Sequence, residues 1–431
     1  MNIEIVTIGD ELLLGFTIDT NAAHLARELA AIGVRIARRS TVGDDPEAIA
    51  AAVQEAIIRT GAVITTGGLG PTADDRTKPV IGALFGRAMV MDEAILAALE
   101  ARWLKRFGVA LPASNRQQAM VPGNCTILAN RHGSAPGIWL EDDKRRWVAM
   151  LPGVPREMRG MLADTLLPLV RERLEATAAG TALTVVRSRT LRTANIAESA
   201  LADRLGELAA GVNGLSLAFL PGNDGVDLRV TVSGVSSEVA DAQLGEAAHL
   251  IRAKVSSFIY GENADDLAAI ILAICAERGS TLAVAESCTG GLLGARLTAI
   301  PGSSSVFLGG VIAYHNDVKI RELGVADETL RLFGAVSEET ARAMATGVRT
   351  RLAANIGIGI TGVAGPDGGT PEKPVGTVWV AIDIDGRVQA VRAPMPGDRN
   401  EMRYRSTQLA LDRVRRAFLG LNSAVGWTAD D

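Results

Sequence analysis

Three times along the chain a short apolar run ends in a glycine-rich turn. Ala62-Val63-Ile64-Thr65-Thr66 runs into Gly67-Gly68-Leu69-Gly70-Pro71, Thr281-Leu282-Ala283-Val284-Ala285 into Glu286-Ser287-Cys288-Thr289-Gly290-Gly291, and a strand ending at Ile360 into Thr361-Gly362-Val363-Ala364-Gly365-Pro366-Asp367-Gly368-Gly369. Helical patterns follow the first two turns, so these are strand-turn-helix units, which bury their faces in a largely parallel sheet covered by helices on both sides. The expected class is α/β.

The periodicity elsewhere agrees. Ile3-Glu4-Ile5-Val6-Thr7-Ile8 reads as a strand; Thr20 is the expected N-cap of a helix carrying Leu25, Leu29 and Ile32, closed by Gly33. Asp45-Pro46-Glu47 supplies cap, first-turn proline and first-turn acid for a helix ending near Gly61. This βαβαβ rhythm continues to about Thr177. From Thr181 to Tyr260 the pattern changes to a strand, a helix over Ala194 to Leu208, two strands around Pro221-Gly222-Asn223-Asp224-Gly225, and a helix over Val239 to Val255. That is a small α+β module. Asn263-Ala264-Asp265 reads as linker and cap, and βα alternation resumes from Thr281 to about Leu419, leaving a frayed tail through Gly426-Trp427 to Asp431.

With 431 residues the chain has room for three domains at roughly 150 residues each, and 48% hydrophobic against 22% charged residues marks packed domains, not disorder. The expected layout is 1–177, 178–262 and 263–425: two three-layer α/β domains joined by the α+β module. Lys and Arg number 44 against 49 Asp and Glu, so no global field draws the chain to nucleic acid or anionic lipid. Aromatic residues are too few to build stacking platforms for single strands. Cys125, Cys275 and Cys288 are widely spaced, which fits a reducing compartment. The start Met1-Asn2-Ile3-Glu4 lacks a signal pattern and apolar runs such as Leu267 to Ala276 are short, so no membrane association and a cytoplasmic location are expected.

Two constellations carry chemistry. In the first, glycines after Thr66 let the backbone turn its N–H groups toward a phosphate, and Asp74 and Asp75 follow as hard oxygen ligands suited to a divalent cation such as Mg²⁺. The same residues serve equally as a strand-to-helix turn capped by aspartates. In the second, Ser287 or Cys288 sits where a strand meets a helix, the place for an exposed nucleophile with N–H groups nearby for an oxyanion. Either residue would also fit as cap or packing. Lys319, if its pKa is lowered, can act as base toward a serine, with Tyr314 relaying or orienting the proton, and Arg399 in Gly397-Asp398-Arg399 can offer a fixed cation at the last helix. A thiol at Cys288 with His315 as base is the competing pair.

Thr66-Gly67-Gly68-Leu69-Gly70-Pro71-Thr72-Ala73-Asp74-Asp75, Gly9-Asp10-Glu11-Leu12-Leu13-Leu14-Gly15 with Thr20-Asn21, and Leu151-Pro152-Gly153-Val154-Pro155-Arg156-Glu157-Met158 resemble the molybdopterin-binding (MoaB/MogA-like) domain, in the variant found at the N-terminus of the CinA (competence/damage-inducible) family. Ala285-Glu286-Ser287-Cys288-Thr289-Gly290-Gly291, Tyr314 with Lys319, Ile360 to Pro366 and Gly397-Asp398-Arg399 resemble the C-terminal domain of the same family, the nicotinamide mononucleotide deamidase. The resemblance implies an amidase releasing ammonia from nicotinamide mononucleotide. It assigns Ser287 as nucleophile, Lys319 as base and Tyr314 as its partner, with Thr289, Gly290, Gly291, Thr361, Gly362 and Arg399 at the substrate and no cofactor. For the N-terminal domain it implies binding of a nucleotide such as ADP-ribose, and its hydrolysis, through Gly9, Asp10, Asn21, Gly67, Gly68, Gly70, Thr72, Pro152 and Gly153, with Mg or Co at Asp74 and Asp75. Arg76-Thr77-Lys78-Pro79 departs from the pattern, which usually continues with an apolar residue and later a Glu. The middle segment is KH-like in that family, but Gly222-Asn223-Asp224-Gly225 falls between two strands, where a hairpin turn explains it better than an RNA clamp. The module is therefore expected to be a spacer or dimerisation element in a homodimer. A competence or DNA-damage factor acting through binding, without catalysis, is the alternative.

Overall fold

The computed structural model describes residues 1–72, 74–178 and 184–421, so the expected tail at 426–431 and the expected start of the middle module at Thr181 lie outside the described residues. The chain divides into two units, one of 1–187 with 232–241, the other of 188–231 with 242 onward.

The first unit opens with β1 (Asn2–Ile8), α1 (Thr20–Ala31), β2 (Arg35–Val42), α2 (Pro46–Thr60), β3 (Ala62–Thr66) and α3 (Thr77–Leu84). Sequence chemistry sets these ends. Asp45 accepts the N–H of Ala48, Pro46 opens α2, and Gly61 closes it in the left-handed region at φ 72°. For α1 the cap is Asp19, which accepts the Ala22 N–H, and not Thr20, which is the first helical residue. After α4 (Glu93–Phe107) come β4 (Thr126–Leu128), β5 (Gly137–Glu141), β6 (Trp147–Leu151) and α5 (Pro155–Met161). The sheet order is β2-β1-β3-β6-β5-β4. Its first four strands are parallel; β5 and β4 are antiparallel. Alternate residues of each strand feed two cores. Ile3, Ile5 and Ile64 pack with Leu25 and Leu29 of α1, while Val6, Ile8 and Val63 pack with Ile49 and Val53 of α2. That alternation is what makes a three-layer α/β/α unit.

The α+β module has β7 (Val185–Thr193), α6 (Glu198–Leu205), β8 (Ser216–Pro221), β9 (Val226–Val235), α7 (Ser237–Val255) and β10 (Ile259–Glu262), with sheet order β8-β9-β7-β10. The helix expected from Ala194 begins only at Glu198, because Asn195 takes a left-handed φ of 56°. Next come α8 (Leu267–Glu277), β11 (Leu282–Glu286), α9 (Leu292–Thr298), β12 (Phe307–Ile312), α10 (Asn316–Leu323), α11 (Glu338–Arg351), β13 (Ile356–Gly362), β14 (Thr377–Ile384), β15 (Arg387–Pro394) and α12 (Arg399–Phe418). The α8 cap is Asp266, which accepts the Ala268 N–H; Asp265 instead accepts the Glu262 N–H at 2.7 Å. The five strands run β12-β11-β13-β14-β15, the first three parallel and the last two an antiparallel meander. Leu282, Val284, Ile356 and Ile358 face α8 and α12, and Ala283 and Ala285 face α11. The C-terminal ends of the three parallel strands therefore share one edge, where open α/β sheets place their ligands.

Candidate active sites

At that edge the first strand end is Glu286, whose side chain is 1% exposed. Its carboxylate accepts the N–H groups of Gly291 (3.1 Å), Leu293 (3.0 Å) and Gly294 (2.8 Å), so the first turn of α9 is already occupied by a protein anion. Glu286→Ala leaves three donors without their acceptor, that of Leu293 buried and those of Gly291 and Gly294 part-buried, and is expected to destabilise the second unit by about 3 kcal/mol, read as a lower urea midpoint of its unfolding.

Ser287 follows, buried, with its N–H donating to the Ile360 carbonyl at 2.9 Å. The turn continues through Gly290 and Gly291, both left-handed at φ 60° and 95°. Among the described residues no backbone carbonyl accepts the N–H groups of Cys288 and Thr289, and the hydroxyl of the fully buried Thr289 has no partner. The second strand end delivers Ala313, whose N–H donates to the Glu286 carbonyl at 2.8 Å. Lys319 on α10 is 1% exposed, and its Nζ donates to the carbonyls of Ala313 (2.9 Å) and Tyr314 (3.2 Å). Burial lowers its pKa, opposed by the nearby Cys288 thiol. Burial also pushes the Cys288 thiol up to about 12, so that side chain is a neutral packing residue.

The remaining expected residues fall into place unequally. Tyr314 meets Lys319 through its carbonyl; its hydroxyl accepts from Arg399 Nη2 at 3.1 Å, so a proton relay through the phenol is not what the geometry provides. Arg399 also donates to the Gly365 carbonyl at 2.6 Å, joining the third glycine turn to α12. The Thr361 hydroxyl donates to the Ala335 carbonyl at 2.6 Å, which turns it away from a direct substrate role, while a Cβ at Gly362 would press on Thr377 and Val378. His315 caps α10 by accepting the Asp317 N–H and is exposed, so it does not serve Cys288 as base.

Sequence reasoning missed two contributors, Arg403 on α12 and a hairpin that docks on that helix. Arg403 donates through Nη2 to the Thr289 carbonyl at 2.8 Å, holding the turn that contains Ser287. The Gly222–Gly225 hairpin is a turn, as its position between strands requires, and it docks on the same helix. The Asp224 carboxylate accepts the Tyr404 hydroxyl at 2.7 Å and Arg192 Nη2 at 2.8 Å, while its carbonyl accepts Gln408 Nε2 at 2.9 Å. Arg296 of α9 stacks over Tyr404 at 4.5 Å and donates to Thr407 and Gln408. The module thus does more than space two domains: it braces the helix that carries Arg399 and Arg403. A lone acidic residue in a hairpin gives no sequence signal of this.

The first unit holds a cleft of about 460 Å³ lined by Gly9, Asn21, Gly67, Gly68, Gly70, Asp74, Asp75, Pro152 and Gly153. One network ties its loops together. Asn21 Nδ2 donates to Thr66 Oγ1 (3.2 Å) and the Gly153 carbonyl (2.7 Å), and Thr66 Oγ1 donates to the Pro152 carbonyl (2.9 Å), leaving buried Asn21 Oδ1 unpaired. A Cβ at Gly67 would collide with the Ile8 carbonyl and one at Gly68 with the Thr77 hydroxyl, so only glycine fits there. The Asp10 and Asp44 side chains each accept the other's backbone N–H.

The pair expected to bind metal does something else. Asp75 accepts from the Gly70 N–H (2.7 Å), the Thr72 N–H (2.8 Å) and the Thr72 hydroxyl (2.5 Å), clasping its own loop. Exposed Asp74 has its pKa lowered, chiefly by a hydrogen bond from Thr72. Neither aspartate caps α3, whose N-cap is Arg76. Among the described residues no group of three or more His, Cys, Asp or Glu is placed to hold a metal ion, and both oxygens of Asp75 are engaged by its own loop. No described helix is long and apolar enough to cross a membrane.

Three family models match the chain: "CinA C-terminal domain" over 264–418, "Damage-inducible protein CinA KH domain" over 188–261, and "Probable molybdopterin binding domain" over 4–172. A CinA-like protein of Gemmatimonas aurantiaca is 72% identical over 431 residues, the whole of both chains. A CinA-like protein of Chlorobaculum tepidum is 42% identical over 94% of this chain and 96% of its own, and one of Kosmotoga olearia 38% identical over 98% and 100%.

Proposed function

The chain belongs to the CinA family, and from that premise we propose that its C-terminal half is an amidase that converts nicotinamide mononucleotide to nicotinate mononucleotide and ammonia. The observation that carries the reading is Lys319: a buried ammonium with carbonyl acceptors, its pKa lowered by burial, near enough to interact with Cys288, the residue next to Ser287 on the same turn. A lysine so placed holds a larger neutral fraction near neutral pH and can take a proton. In the proposed reaction neutral Lys319 accepts the Ser287 hydroxyl proton as Oγ bonds to the carboxamide carbon. The N–H groups of Cys288 and Thr289 are the donors available to the oxyanion. Collapse breaks the C–N bond, the proton passes from Lys319 to the leaving nitrogen, and water then hydrolyses the acyl-serine. Arg399, on Tyr314 and Gly365, is the cation for the substrate phosphate.

The purified chain is expected to release one ammonia per nicotinamide mononucleotide consumed, followed by coupled ammonia detection. A competence or damage factor acting through binding alone would release none. For the N-terminal cleft we propose binding of an ADP-ribose-type nucleotide by backbone groups of the glycine loop. Calorimetric titration with ADP-ribose is expected to show binding in chelator-treated protein, because the contacts need no cation; binding that appears only with added Mg²⁺ or Co²⁺ overturns this.

A further inference from the structure

Beside the cleft of the first unit lies a second concavity of about 570 Å³ in which Arg102, Arg106, Arg131 and Arg156 converge around Trp103 and Phe107. Among the described residues none of these four guanidiniums is paired with a carboxylate. Arg102 donates to the Gly133 carbonyl and Arg106 lies 5.2 Å over the Phe107 ring. Glu157 is the one carboxylate on the wall, and its Oε2 accepts from Asn130 Nδ2 at 2.7 Å; the His132 imidazole there pairs with Asp164. In a chain of net charge -5, four unneutralised arginines around one hollow form a local anion trap.

Two unpartnered polar atoms give it a second character. Gln118 is 4% exposed, yet its Oε1 has no hydrogen-bond partner, and neither does the buried Trp103 Nε1. A buried carbonyl oxygen without a donor is costly to leave unpaired. Gln118, Ser134, Val154 and Glu157 line this hollow and the neighbouring cleft alike, so one ligand can reach from the glycine loop to the arginines.

We propose that this hollow is a subsite for a phosphorylated sugar carried by the molecule bound in the cleft: a sugar hydroxyl donates to Gln118 Oε1 and the phosphate meets the arginines. Charge-assisted guanidinium contacts distinguish a 2′-phosphorylated ribose from a plain one, as a single Arg does in dinucleotide folds. The subsite rests on the reading of the cleft as a nucleotide site and adds to it a preference for a phosphomonoester. Calorimetric titration of the full chain with ADP-ribose, its 2′-phosphate and ribose 5-phosphate tests it.

The 2′-phosphate is expected to bind about tenfold or more tightly than ADP-ribose, with the advantage lost in Arg106→Gln/Arg131→Gln and in the independent pair Arg131→Gln/Arg156→Gln, while affinity for ADP-ribose stays as it was. Equal affinities in the unmodified chain, or an advantage that survives both pairs, overturn the proposal. Ribose 5-phosphate binding that both pairs weaken, without any advantage for the phosphorylated nucleotide, assigns the hollow to a free sugar phosphate and overturns the shared ligand. If neither nucleotide binds while ribose 5-phosphate still does, the reading of the cleft has failed and the proposal of a shared ligand falls with it.

Discussion

Ser287→Ala is expected to lower ammonia release from nicotinamide mononucleotide by at least about a thousandfold, whereas Cys288→Ala is expected to keep most of the activity. Adjacent residues on one turn are separated here by environment. A thiol is intrinsically the better nucleophile, but only as thiolate, and burial holds the Cys288 thiol near 12, with the side chain packed in the core formed by Leu282, Val284 and Leu293. The histidine that could have served it as base is not placed to do so, since His315 is turned to solvent and caps α10. Ser287 sits at the end of β11, held to Ile360 on one side, and Ala313 ties its neighbour Glu286 to the strand on the other. Steady-state assays of both variants, with circular dichroism to verify folding, decide the matter. Activity that survives in Ser287→Ala and vanishes in Cys288→Ala would transfer the nucleophile to the thiol and sink the serine assignment.

The glycine turns were legible because they are written in local chemistry: a strand that must stop, a left-handed backbone and a helix that must start each leave a mark in a few consecutive residues. The same locality explains the near misses. Asp19 and Asp266 displace Thr20 and Asp265 as caps by one position, a choice that depends on the entry angle of the chain and not on residue type, since Ser, Thr, Asp and Asn all cap well. What the sequence hides is long-range. Glu286 looks like a strand-end acid, and only the fold shows that it closes the first turn of α9. Asp75 looks like a metal ligand beside Asp74 until its oxygens are seen on Gly70 and Thr72. Asp224 and Tyr404 are 180 positions apart, so nothing in either neighbourhood announces their hydrogen bond.

Lys319 carries the largest pH dependence expected of the proposed amidase. To take the Ser287 proton the amine must be neutral, and its ordinary pKa of 10.5 would leave almost none neutral near pH 7; burial at 1% exposure lowers that value. The sign is fixed by this. As pH rises through the lowered folded-state pKa the neutral form fills, so kcat/KM climbs and levels off below pH 10.5. Stability follows the same direction: the native state disfavours the proton relative to the unfolded chain, so the contribution is fully present above 10.5 and is lost as pH falls through the folded pKa. Lys319→Met, which keeps the length and removes the amine, is expected to lower kcat by about 10²–10⁴-fold and to flatten the alkaline rise in both kcat/KM and the urea midpoint. Lys319→Arg restores a cation but no base, because a guanidinium does not lose its proton in this range, and is expected to stay inactive. A Met variant that keeps the alkaline rise, or an Arg variant that recovers activity, would show that Lys319 acts through charge or packing and that the base lies elsewhere.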